Sequence, residues 1–186
     1  MTSAPQQTEI IVLGYTERFM AAVRELLGIE GGLVNDPVDR GGETIYGISL
    51  RFLAIAGAFD EDRDGFADFD LNMDGDIDGK DIRALSVGDA VWLYYEHFWK
   101  PLDCESYPVP LGEILFDQGV NGGLAAAKKL LQQAVNSRLR SLGNLAPLAV
   151  DGNVGPRTRK ELGFVIAEDG LANLVEAYRD AVRARY

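Results

Sequence analysis

The sequence is poor in the residues that carry thiol and transition-metal chemistry. Of 186 residues, one is cysteine, Cys104, and one is histidine, His97. A lone thiol excludes an internal disulfide, and a single imidazole beside it does not make a zinc ligand set. Positive charge is also scarce. Lys and Arg number 18 against 29 Asp and Glu, a net charge of -11, so the basic face that nucleic-acid binders use to displace counterions is missing and no nucleic-acid partner is expected. No run of about 20 apolar residues occurs, so no membrane insertion is expected. The start, Met1 to Gln7, has no positive region leading into an apolar stretch, and the expectation is cytoplasmic synthesis without a signal peptide.

What is present is ordinary for a folded chain. Apolar residues make up 47% and charged ones 25%, enough for one domain with a sizeable core or a domain with a small appendage, and a monomer is expected. Phe19, Val23, Leu26 and Leu27 recur at helical spacing and predict a first helix from about Thr8 to the Ile29 region. Four glycines with Asn35 and Pro37 between Gly31 and Gly42 then favour turns or a short hairpin. Helical spacing returns from Ser49 to Ala58. Ser86 to Lys100 reads as a helix capped by Ser86 with Asp89 at the fourth position, ended by Pro101. Leu111 to Arg140 holds two helical patterns divided at Asn121-Gly122-Gly123, and two more run from Pro156 to Phe164 and from Leu171 to Arg185. The fold class is mainly α, with one small β or irregular element after the first helix.

Glu30 carries the chemical reading. It follows Leu26 and Leu27 by four and three residues, which places it on the buried face at its helix's end. Lost hydration and the negative end of the helix dipole both favour the protonated carboxyl, the form a general acid needs. Asp39 and Thr44 return across the turn nine and fourteen positions later, so two carboxylates and a hydroxyl are candidates to line one cleft.

The run Glu30-Gly31-Gly32-Leu33-Val34-Asn35-Asp36-Pro37-Val38-Asp39-Arg40-Gly41-Gly42-Glu43-Thr44-Ile45-Tyr46-Gly47-Ile48 closely resembles the opening motif of glycoside hydrolase family 108 muramidases. Arg40 replaces the family's usual proline and Leu33 a common aromatic, and neither change removes a reacting group. The resemblance implies a lysozyme-like, two-lobed helical domain that hydrolyses the β-1,4 bond between N-acetylmuramic acid and N-acetylglucosamine in bacterial peptidoglycan. It also implies the roles: Glu30 protonates the glycosidic oxygen, Asp39 holds water or stabilises the oxocarbenium-like transition state, and Thr44 positions the water. Phe98-Trp99 and Phe116 to Gly123 resemble later family segments. Tyr46, Trp99, Asp117, Gln118 and Asn121 become the substrate-binding candidates. A lytic transglycosylase, or a non-catalytic calcium-dependent wall-binding or virion protein, is the alternative reading. Missing export signals fit a wall enzyme released from the cytoplasm or carried in a virion.

Asp151-Gly152-Asn153-Val154-Gly155-Pro156-Arg157-Thr158, with Leu131 to Asn136 before it, resembles the turn-and-helix motif of small peptidoglycan-binding modules. The expected division is a muramidase domain over 8-142 and a helical wall-binding segment over 143-186 packed on it.

An insert over 60-81 holds ten acidic residues and two basic ones, Arg63 and Lys80. Such density repels itself unless a cation intervenes. Asp70, Asn72, Asp74, Asp76, Asp78 and Asp81, with Gly75 at position six, fit a twelve-residue EF-hand-like loop for structural calcium. Asp60, Asp62, Asp64 and Asp68 repeat its first half but meet Leu71 at position twelve, so a second ion needs a borrowed ligand. His97 and Cys104 are expected to be structural.

Overall fold

The computed structural model describes residues 14-27, 43-143 and 146-185. The chain separates by packing into two compact units, Met1–Val91 and Trp92–Tyr186.

In the first unit, helix α1 spans Glu17–Leu27. It starts later than the apolar spacing predicts, because Gly14 has a positive φ of 113° and Thr16 caps the helix, its Oγ1 accepting from the Phe19 amide at 3.2 Å. Phe19 and Val23 face the core as expected, joined by Met20 and Ala22. The small β element is a hairpin: β1, Thr44–Ile45, pairs antiparallel with β2, Ile48–Ser49. Its turn residues, Tyr46 and Gly47, have φ of 50° and 75°, the pair of positive values that a two-residue turn of type I′ requires. Ser49 then caps α2, Leu50–Ala56, accepting from the Phe52 amide. The acidic insert comes next, closed by a short helix α3, Gly79–Ala84.

Helix α4, Val87–Tyr94, begins with the expected box: the Asp89 carboxylate accepts from the Ser86 amide at 2.8 Å and the Ser86 hydroxyl from the Asp89 amide at 3.2 Å. Pro101 does not stop the run. A π turn over Tyr95–Trp99, in which the Lys100 amide donates to the Tyr95 carbonyl, leads without a break into α5, Lys100–Leu102, which contains Pro101.

The second unit is built around α7, Leu124–Ser141, which packs against α6, Leu111–Gly122, α8, Pro156–Asp169, and α9, Leu171–Arg183. Gly123, with φ of 86°, makes the α6–α7 corner. Leu131, Ala134, Val135, Val165 and Leu174 are fully buried, and the Tyr178 hydroxyl donates to the Ala127 carbonyl at 3.3 Å, fixing α9 on α7. Arg138 forms an ion pair with Asp169 at the end of α8. Helices α8 and α9 thus pack on α7 within this unit. Among the described residues no helix is long and apolar enough to cross a membrane.

Candidate functional site

Glu30 and Asp39 lie outside the described residues. Thr44, the third of the expected catalytic groups, is half-buried at the start of β1, opposite Ser49. Two strands of two residues do not hold a conformation alone, and three contacts fix this hairpin. Ile48 is buried, the Leu50 amide donates to the Glu43 carbonyl at 2.9 Å, and Arg83 of α3 donates through Nη1 to both oxygens of the Glu43 carboxylate. Tyr46 occupies the turn itself, half-buried.

The other substrate-binding candidates belong to the second unit and divide by exposure. Asp117 and Asn121 share an open face of α6, with Asn121 Nδ2 donating to the Asp117 carboxylate and carbonyl, each at 3.0 Å. Gln118 turns inward and is 5% exposed. Its Nε2 has no hydrogen-bond partner among the described residues. It packs over Gly122 so closely that a Cβ there would lie 2.0 Å from Nε2. Trp99 is placed in the core instead of on a surface: it is 2% exposed, its ring stands edge-on to Phe116 with centroids 5.4 Å apart, and its indole donates to Glu105 at 3.0 Å. An indole boxed in this way offers no free face for stacking a sugar. His97 sits beside Trp92, ring centroids 5.9 Å apart, and burial pushes its pKa down. Cys104 is buried.

The acidic insert contains two loops of one design, ten residues apart. Gly65 donates to Asp60 at 3.2 Å as Gly75 does to Asp70 at 2.8 Å. Arg63 and Met73 both have positive φ, as do Gly65 and Gly75. In each loop the third-position residue accepts from the amide two residues on, Asp62 from Asp64 and Asn72 from Asp74. The loops end differently. Asp81 is fully buried and accepts from the amides of Asn72 at 3.2 Å and Asp78 at 2.8 Å, while Asp78 caps α3 in a capping box with it. Asp70 is 4% exposed. Lys80 pairs with Asp74 at 2.6 Å, holding that carboxyl below the usual range and its own ammonium above its usual value. In the first loop Asp68 accepts from the Glu61 amide, and the ligand oxygens of Asp60, Asp62 and Asp68 lie within 4.8 Å of one another. That is the group whose oxygens converge most closely among the described residues, although the twelve-residue pattern matches the second loop better. Asp64 instead accepts from the Phe66 amide, and Asp76 is exposed.

Beyond α7 an irregular loop is held by two buried amides. Gln132 Nε2 donates to Asp151 Oδ1 at 2.9 Å and the Asn153 carbonyl at 3.0 Å, and its Oε1 accepts from the Gly152 amide at 2.8 Å. Asn136 makes both bonds to the Leu148 backbone. Gln132 also helps line a pocket of about 300 Å³ of mixed character, with Asp151, Asn153, Arg157 and Thr158 beside Leu148 and Pro156. The sequence pattern places Leu131 to Asn136 beside this turn without revealing why: glutamine and asparagine four apart on one helix face read out a loop's backbone.

Sequence reasoning missed Glu43 and Arg83. They are 40 residues apart, and Glu43 reads from sequence as a spacer between the glycines and Thr44.

The family model described as Glycosyl hydrolase 108 matches residues 23-123. No curated protein matches the chain. Among solved structures, that of SagA from Brucella abortus is similar, with a TM-score of 0.63 at 23% identity over 88% of this chain and 76% of that one. This likeness bears on the fold, a mostly helical, lysozyme-like one.

Proposed function

The chain belongs to the glycosyl hydrolase 108 family, whose members are glycoside hydrolases acting on peptidoglycan, and on that premise we propose that it is a muramidase. It cuts the β-1,4 bond between N-acetylmuramic acid and N-acetylglucosamine, with Glu30 as proton donor, Asp39 stabilising the oxocarbenium-like transition state or holding water, and Thr44 positioning that water. The observation that carries this reading is the family match, because residues 23-123 include all three side chains in order. The anchored hairpin supports it further, since a hydroxyl that aims a water must itself be held still. Tyr46 of the first unit, and separately Asp117 and Asn121 of the second, are the accessible candidates for glycan contact in this reading, while Gln118, turned inward, is not. Trp99, enclosed as it is, contributes packing.

Glu30→Gln is the decisive variant. Release of reducing ends from purified peptidoglycan falls by at least about 10³-fold while helical circular dichroism is unchanged; retained turnover refutes the assignment. Products ending in anhydro-sugar by mass spectrometry would replace hydrolysis with lytic transglycosylation.

Calcium fits the second acidic loop on a structural ground. Asp70 and Asp81 are buried carboxylates, and the ion pairs found among the described residues go through Lys80 to Asp74 and Asp78, not to these two. Asp70 accepts from the Asp74 and Gly75 amides and Asp81 from those of Asn72 and Asp78, which orients both carboxylates without supplying a countercharge. Asp70, Asn72, Asp74, Asp76, Asp78 and Asp81 would hold the ion, and Asp60, Asp62, Asp64 and Asp68 a second. The ion is structural: it neutralises the insert and performs no step of the reaction. The segment over 143-186 binds peptidoglycan, and the pocket beside Gln132 is the concave feature there that could take a wall fragment. The enzyme acts as a monomer on the cell wall after release from the cytoplasm or as part of a virion.

A further inference from the structure

We infer that Arg83, on the helix that closes the acidic insert, is a positioning residue for Thr44. The inference rests on reading Thr44 as the group that aims the attacking water. Thr44 begins a ladder of only two residue pairs, Thr44 with Ser49 and Ile45 with Ile48, and a ribbon that short needs support from outside. The support is applied one residue before Thr44. Arg83 Nη1 donates to both carboxylate oxygens of Glu43, and the Glu43 carbonyl closes the hairpin by accepting from the Leu50 amide at 2.9 Å. Glu43 is thus held at side chain and backbone at once. The Glu43 side chain is 25% exposed and that of Arg83 48%, so the pair is a solvent-screened one and its weight here is positional, one guanidinium nitrogen meeting both carboxylate oxygens.

The carboxylate also lies directly against α3. A Cβ on Gly79 would come 2.9 Å from Glu43 Oε2 and 3.1 Å from Arg83 Nη1. Glycine at 79 leaves the room in which the acid meets the guanidinium. The insert leaves the chain after α2 and returns through α3 against the strand that carries Thr44, and the Arg83–Glu43 pair is the charged contact by which order in its last turn reaches the hairpin.

Arg83→Gln and Glu43→Gln are each expected to lower kcat on soluble glycan fragments roughly tenfold with KM within about twofold, the pattern of misplacement and not of lost binding. Arg83→Lys recovers part of the loss, and the exchange Glu43→Arg with Arg83→Glu recovers more than either single reversal. Gly79→Ala, which keeps both charges and displaces the carboxylate, lowers kcat less. Hydrogen exchange at the Leu50 amide accelerates about tenfold in Arg83→Gln. Full kcat in Arg83→Gln, or an unchanged Leu50 amide, overturns the inference, as does a loss that appears in KM alone. If the wild-type enzyme releases no reducing ends, the muramidase reading fails, and the Leu50 amide still decides whether Arg83 holds the hairpin.

Discussion

The two acidic loops share a backbone and differ in how they end. Loop 60-68 gathers three carboxylates, Asp60, Asp62 and Asp68, with exposed or half-buried side chains and no helix behind them. Loop 70-81 buries its first and last carboxylates and runs into α3, with Lys80 drawn across Asp74. Repeating the turn residues reproduces the turn, since glycine at position six and a positive φ at position four are set locally. Burial is not repeated, because it depends on the element that closes each loop: Asp81 is buried by α3, and the first loop has only Asp68 and then Phe69. One loop therefore converges its oxygens at the surface, while the other builds its charge into the fold.

The comparison breaks most sharply at Asp81. Asp81→Asn should weaken calcium binding to the second loop by about two orders of magnitude and destabilise α3, read by calorimetry and thermal melting. Asp62→Asn should remove a separate, weaker binding event and leave the first intact; loss of both ions in either variant would make the two loops one site. Calcium at a hundred times its dissociation constant should raise the melting temperature over a chelated sample by roughly 5–10 °C, and Asp62→Asn should retain most of that rise. No heat and no shift would remove the ion from both loops.

Lys80 gives the smallest effect. Lys80→Gln frees the Asp74 carboxylate and should strengthen calcium binding a few-fold. In chelator the same change removes the Lys80–Asp74 pair. Asp74's pKa is lowered and Lys80's raised, so the pair's contribution is present from about pH 4 to about pH 10. It fades as acid titrates through the lowered Asp74 value, or as base titrates through the raised Lys80 value. The melting difference between Lys80→Gln and wild type should thus be small and flat from about pH 5 to about pH 9, and close below about pH 4; a difference that grows on acidification contradicts the pairing.

The helices were legible wherever a local signal settles them. Ser49 and Ser86 cap where a serine before an apolar run should, Gly123 turns the α6–α7 corner, and the last two helices begin where their spacing predicts, although α8 runs on past Phe164 to Asp169. Thr16, and not the residues before it, starts α1, because a capping hydroxyl outranks an apolar pattern extended backwards. Pro101 misleads because a π turn offsets the backbone ahead of it, and no residue pattern announces a π turn. Motifs supplied candidates only: Thr44 by the family resemblance and the loop aspartates by the calcium-loop spacing. The enclosure of Trp99 by Phe116 and Glu105 depends on a neighbour 17 residues on. The Glu43–Arg83 pair depends on a return of the chain that only the fold supplies.

The loop from Leu148 to Asn153 has no repeating hydrogen bonds of its own, yet Gln132 and Asn136 hold its backbone from below. For anyone attaching a dye or an affinity handle, its outward look is misleading: an insertion there would tear two side-chain amides from their partners inside the unit and leave them dry. Gly163 of α8 is the better address, being exposed with open space where a Cβ would stand.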